Sequence, residues 1–298
     1  MSEHVSEQRI LTSDGVELHA AVDGNGPVTV VLAHGWTLDT RIWDPVARRI
    51  AGSARVVTYD HRGHGRSGAA PTGTMTLERL ADDLATVIVE TAPEGPVVLG
   101  GHSMGGMAAM ALAERHPGLV SRVRGLALVS TASGGLAGHS LGLRPRAAAA
   151  VRVVERRLYA SSRWERRSAL GSPRALAPAL RWLLLGPDAD TTARRLTYAA
   201  VASCRPLTVS GFRPTLEAHE RDAALAAFAD VPTVVLVGSR DRLTPVSSAR
   251  RIAAALPSAG LTIYPGAGHM LPVERVAAVA AHLSALVAGA TRVADRAG

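Results

Sequence analysis

"VVLGGHSMGGMAAMALAERH", residues 97–116, decides the fold. Its opening is a continuous apolar run, the pattern of a strand buried on both faces. From Met104 onward apolar residues recur at three and four spacing, which predicts a helix. Ser103 stands at the junction, with Gly100 and Gly101 before it and Gly105 and Gly106 after it. Glycine weakens strands and helices because it adds backbone freedom that folding must remove. Four glycines around one hydroxyl therefore point to a steric demand. A strand that turns into a helix at a single residue strains that residue, and the positions two before and two after it must be small. Such a turn pushes the Ser103 hydroxyl out at the carboxyl edge of a sheet, where a helix N-terminus favours negative charge.

The same layout recurs along the chain. "PVTVVLAHG" (27–35), "ARVVTYDHRGHG" (54–65), "VRGLALVSTAS" (123–133), "VPTVVLVGS" (231–239) and "GLTIYPGAG" (260–268) are short apolar runs that end in a polar or glycine-rich break. Helical patterns lie between them at 41–51, 76–91, 104–117 and 247–257. Strands that alternate with helices imply a mostly parallel α/β sheet. Two further strands are expected near Arg9–Ser13 and over 16–24. The alternation fails between Ala132 and Asp230, a stretch with helical pieces, no clear strand and 15 arginines. It reads as a helical insertion. Residues 276–290 read as a buried terminal helix, followed by a frayed tail.

Composition narrows the classes. The 298 residues are 47% hydrophobic and only 3% aromatic, so the core must be built of Ala, Val and Leu. The net charge is +8, and all 33 basic residues are Arg. The arginines are scattered, with no run of five and no aromatic interleaving, which argues against nucleic acid as a partner. One cysteine, Cys204, permits no internal disulfide. No metal-ligand spacing occurs. The opening "MSEHVSEQRI" lacks a signal-peptide layout, and no run of 18 apolar residues occurs, so a cytoplasmic chain with no membrane span is expected.

A serine hydroxyl needs a base, and the base an orienting acid. His269 follows the last strand in "GAGHM", and Asp241 follows the preceding one in "GSRDRLTP". Both fall at the same sheet edge as Ser103. The alternative readings are a helix-capping histidine and an N-cap aspartate for the segment from Pro245. His102 is read as packing beside the serine and His34 as shaping its loop. His139 and His219 are read as surface residues, with the lining of a pocket as the alternative.

With "HGW" (34–36), "DHRGHGRS" (60–67), "GHSMGG" (101–106), "GSRDRLTP" (238–245) and "GAGHM" (266–270) in this order, the chain resembles the α/β-hydrolase fold family from about Arg9 to Ala288. The resemblance implies a core over 1–132 and 227–298 and a helical cap over 133–226, inserted after the sixth core strand. It implies the triad order Ser103, Asp241, His269 and an oxyanion hole of the Trp36 and Met104 backbone N–H groups. Some relatives carry the acid after the sixth strand; here "LVSTASGG" has no carboxylate. The implied activity is hydrolysis of a carboxylic ester or lactone through an acyl-enzyme, on a small-molecule substrate and without cofactor or metal. Perhydrolysis in the manner of cofactor-free haloperoxidases, C–C bond hydrolysis, or ligand binding by a vestigial triad are the other readings. The oligomeric state is not encoded in any motif. Apolar residues of the insertion, Val151, Val154, Leu158, Trp182, Leu183 and Leu184, together with Trp36, would line the substrate pocket or dock the insertion on the core.

Overall fold

In the computed structural model, residues 5–137 and 173–297 are described. Eight strands form one sheet in the order β1-β2-β4-β3-β5-β6-β7-β8. β1 (Ser6–Leu11) and β2 (Glu17–Asp23) make an antiparallel pair at one edge, and β2 runs antiparallel to β4 (Arg55–Tyr59). From β4 across β3 (Thr29–Ala33), β5 (Val97–His102), β6 (Val123–Val129), β7 (Thr233–Gly238) and β8 (Gly260–Tyr264) every pairing is parallel. The expected strands and their mostly parallel order are all present.

The sheet is covered on both faces, which is why its central strands read as unbroken apolar runs. Successive side chains of a strand point to opposite faces. Val31, Val57 and Leu99 pack into one apolar cluster, and Val30, Val56 and Val98 into the other. The first cluster is closed by α2 (Leu77–Thr91), α3 (Met104–Arg115) and the α8 helix (Val246–Ala255), with Leu80, Leu84, Met107 and Ile252 buried. The second is closed by α1 (Asp44–Ile50) and the terminal helix α10 (Val276–Ala297), with Val46, Leu283 and Leu286 buried. Thr76 caps α2 by accepting the Arg79 N–H at 3.2 Å.

The α10 helix differs from expectation in two ways. Only one face is buried, through Val279, Ala280, Leu283, Leu286, Val287 and Ala290, because one side alone meets the sheet. The helix also continues to Ala297 where a frayed tail was expected, since 290–297 contain neither proline nor glycine to stop it. By length and composition Val276–Val293 would suffice to cross a membrane; in this fold its apolar face packs on α1, β5, β6 and β7.

Between β6 and β7 lie α5 (Pro173–Leu184), α6 (Thr191–Ser203) and α7 (Pro206–Glu217); α4 (Pro117–Val120) precedes β6, and α9 (Leu271–Glu274) follows β8. The ties of α5, α6 and α7 to the sheet layer fall on loops at the carboxyl ends of strands. Arg41 reaches the Ala199 carbonyl and Ser203. Thr208 donates to the Gly63 carbonyl at 2.9 Å, and the His269 N–H donates to the Leu184 carbonyl at 2.8 Å. The three helices therefore lie over the edge at which Ser103 emerges.

Candidate active site

The sheet reverses its build direction between β3 and β5: the chain goes from β3 outward to β4, then returns to the other side as β5. Open α/β sheets bind ligands in the crevice at such a point, beyond the carboxyl ends of the strands. Ser103 follows β5 there, and the His34–Gly35–Trp36 loop follows β3.

Ser103 has φ 52° and ψ −118°, the left-handed side of the map that non-glycine residues avoid. Surrounding bonds hold it there. Its N–H donates to the Val129 carbonyl at 2.9 Å, and its own carbonyl accepts from Gly106 N–H at 2.9 Å and Thr131 Oγ1 at 2.7 Å. The flanking glycines are explained by contact. A side chain on Gly105 would strike the Ala33 carbonyl, and one on Gly101 would strike the Gly105–Gly106 backbone. Gly35 serves the same end from the neighbouring strand: a Cβ on it would lie 3.1 Å from Ser103 Cβ and 2.8 Å from His102 Nδ1. This close approach sets the β3 loop against the serine. Met104 is the first residue of α3, so its N–H has no acceptor within the helix.

Asp241 and His269 come together. His269 Nδ1 lies 2.9 Å from Asp241 Oδ2, and both side chains are buried. Asp241 also accepts from the Leu243 and Thr244 N–H groups and from Thr244 Oγ1, each at 2.9 Å. Burial alone would push this carboxyl up; the facing His269 ring and the Thr244 donors outweigh it and hold it below the usual carboxylate value. An ionised Asp241 accepts the Nδ1 proton, which leaves Nε2 of His269 as the acceptor. His102, next to Ser103 in the chain, donates from Nε2 to the His269 carbonyl at 2.9 Å, with ring centroids 4.9 Å apart. Burial lowers the His102 imidazole to about 3, so it is a neutral brace. Thr244 and Glu274 were not singled out from sequence. Glu274 accepts N–H groups on both sides of His269. The signal for Thr244 is a hydroxyl three residues after a loop aspartate; for Glu274 no local signal exists.

His34, His61, His64 and His219 take backbone partners, while His19 and His116 face the carboxylates of Asp60 and Asp82. His34 accepts from His61 N–H, His61 donates to the His34 carbonyl, and His64 takes Thr37 N–H and the Arg62 carbonyl. His219, expected at the surface, is buried and donates to the Ala132 carbonyl at 2.9 Å. Arg221, one of the arginines between β6 and β7, is nearly buried and bridges Glu78 and Glu114. Among the described residues no group of three or more His, Cys, Asp or Glu side chains is arranged to hold a metal ion.

Of the pocket candidates, Trp36 is half-buried against the α2–α3 cluster. Leu183 and Leu184 pack on the α1–α10 cluster, which is docking of α5 on the core. Trp182 is 42% exposed, with the Arg242 guanidinium 4.7 Å above its ring. Val151, Val154, Leu158 and His139 lie outside the described residues. A cavity of about 640 Å³ opens at the opposite, amino edge of β6 and β7, lined by Val123, Val231 and Pro232 among others.

A family profile described as alpha/beta hydrolase fold matches residues 28–276. A pimeloyl-[acyl-carrier protein] methyl ester esterase of Chromobacterium violaceum is 31% identical over 263 residues, covering 83% of this chain and 88% of the relative. A monoacylglycerol lipase of Mycolicibacterium smegmatis is 30% identical over 257 residues, 80% of each. Among solved structures, a thermophilic esterase from Thermogutta terrifontis superposes with a TM-score of 0.72 at 26% identity, over 93% of this chain and 96% of that one.

Proposed function

The chain belongs to the α/β-hydrolase fold family, and from that premise we propose that it is a serine hydrolase of carboxylic esters or lactones. The observation that carries the reading is the Asp241–His269 pair at 2.9 Å on the same sheet edge as a serine with φ 52°. Ser103 Oγ attacks the carbonyl carbon while Nε2 of His269 takes its proton. Asp241 orients the ring and stabilises the imidazolium. The oxyanion is held by the Trp36 and Met104 N–H groups, the second reinforced by the N-terminus of α3. Collapse expels the alcohol, which takes the proton from His269, and leaves an acyl-Ser103 ester. Water, deprotonated by His269, then releases the acid. No step calls for a cofactor or metal.

The relatives named an esterase and a lipase support the substrate class. The α5–α7 helices, lying over the carboxyl edge, act as the cap and limit the size of what enters. Such pockets hold ligands of about 300–1,000 Å³. Esters with acyl chains of about two to eight carbons should therefore turn over faster than emulsified long-chain triglyceride. The test is labelling with a fluorophosphonate, then a series of p-nitrophenyl esters of rising chain length. Labelling at Ser103 with turnover of short esters is expected. A folded protein that is not labelled overturns the reading. A phage D29 protein named a putative non-heme haloperoxidase is 31% identical over 134 residues, so the same assay with peroxide added tests whether peracid replaces acid as the product.

A further inference from the structure

The backbone around His269 is held more tightly than a surface loop requires. Glu274, half-buried on α9, places Oε1 3.1 Å from the N–H groups of both Gly268 and Met270, the two neighbours of His269. Its Oε2 accepts from Gly268 at 3.0 Å and from Gly186, just past the end of α5, at 2.8 Å. The His269 N–H is bound to the Leu184 carbonyl, and its carbonyl to His102 Nε2. The packing leaves no slack. A Cβ on Gly268 would lie 2.5 Å from Gly186 N and 2.8 Å from the Leu184 carbonyl oxygen, and one on Gly238 would strike the Gly268 carbonyl. Arg275 closes the loop from outside by donating to the Pro265 carbonyl at 2.9 Å.

From this clasp we infer that Glu274 is a positioning residue, whose carboxylate fixes the His269 backbone and locks it to the end of α5. The inference rests on the reading of His269 as the base. Two elements far apart in sequence, the β8–α9 loop and the end of α5, are joined through one side chain. An imidazole that must meet both a serine and a carbonyl substrate depends on such placement, because a shift of about 1 Å can cost on the order of 10²-fold in rate. Burial pushes the Glu274 carboxyl up, while the three N–H donors hold it down in part.

Glu274→Gln separates positioning from packing. The volume is kept, but both oxygens accept N–H groups in the native state. The amide must therefore set its NH₂ against the N–H of either Gly186 or Met270. Expected is a variant with the wild-type circular dichroism spectrum. Its kcat on a short p-nitrophenyl ester should fall about tenfold or more, with KM within about twofold, and fluorophosphonate labelling of Ser103 should slow by the same factor. A folded Glu274→Gln protein with wild-type kcat and labelling rate overturns the inference. Amide exchange in the wild-type protein decides the matter even if the variant does not fold. The Gly268 and Met270 amides should exchange far more slowly than that of Gly73, in an exposed turn; equal rates overturn the clasp. Absence of Ser103 labelling in the wild-type protein would instead defeat the hydrolase reading, with the exchange data still reporting on the clasp.

Discussion

Of the aspartates at the carboxyl edge of this sheet, Asp60 and Asp241 each carry an imidazole. Asp60 follows β4 and lies 3.2 Å from His19 Nδ1; Asp241 follows β7 and lies 2.9 Å from His269 Nδ1. Both are buried, both accept backbone N–H groups, and both are held below the usual carboxylate value against the upward push of burial. Their surroundings separate them. Asp60 spends its oxygens on Thr40 N–H at 2.8 Å and Arg66 N–H at 2.9 Å, and Gly65 is pressed against it, so it ties two loops together. Its imidazole sits on β2 towards the sheet edge, with Nε2 3.9 Å from Glu7. The imidazole of Asp241 is braced by His102, the neighbour of Ser103. An aspartate–histidine pair is therefore no signature of chemistry by itself; what the free ring nitrogen faces decides.

Ser103 separates the two pairs most decisively. Ser103→Ala should lower kcat/KM by on the order of 10⁴-fold or more and abolish fluorophosphonate labelling with the fold intact. Normal labelling would mean that the strained elbow has another purpose. Asp241→Asn should cost on the order of 10²–10⁴ in kcat/KM on one short ester, because the ring loses its orientation and its counter-charge. A loss below threefold would reduce Asp241 to a turn residue of the Asp60 kind.

Acid should weaken the scaffold that both pairs share. Burial lowers His64 to about 4 and His102 to about 3, so both stay neutral in the folded chain while the unfolded chain takes up protons below about 6.5. Stability is thus unaffected above that value and falls as pH drops from about 6.5 towards 4, by up to about 2 kcal/mol per ring at pH 5. Urea unfolding at pH 7 and pH 5 measures this; equal midpoints would show that the rings titrate normally.

The smallest effect belongs to the first pair. Asp60→Asn should leave kcat/KM within about threefold and cost about 1–3 kcal/mol of stability, the price of poorly met N–H donors. A melting curve should shift by roughly 2–4 °C per kcal/mol. A large loss of rate without a loss of stability would place Asp60 in the chemistry and erase the distinction.

Much of this was legible in the chain because it depends on local rules. Apolar runs that end in glycine mark buried parallel strands, and helical spacing between them marks the covering layers. The glycines around Ser103 report a backbone constraint at one residue, and the polar loops that end the last two strands offer Asp241 and His269 as partners at the same edge. Burial of His219 was not legible, because its partner is the Ala132 carbonyl, 87 residues away. Trp182 and Leu183 are apolar neighbours in sequence, yet one is exposed beneath Arg242 and the other packs on the core.

The amino-acid sequence by itself determined the alternation of strands and helices, the elbow at Ser103 and the sheet edge at which polar loops gather, since each follows from spacing and steric size within a few residues. Only the tertiary structure decided which aspartate meets which imidazole at that edge, and that Glu274 would gather Gly186, Gly268 and Met270 about one carboxylate. A hydrogen bond requires two groups within about 3 Å and aligned. Residues 88 apart reach that distance only after the sheet has set the loops side by side.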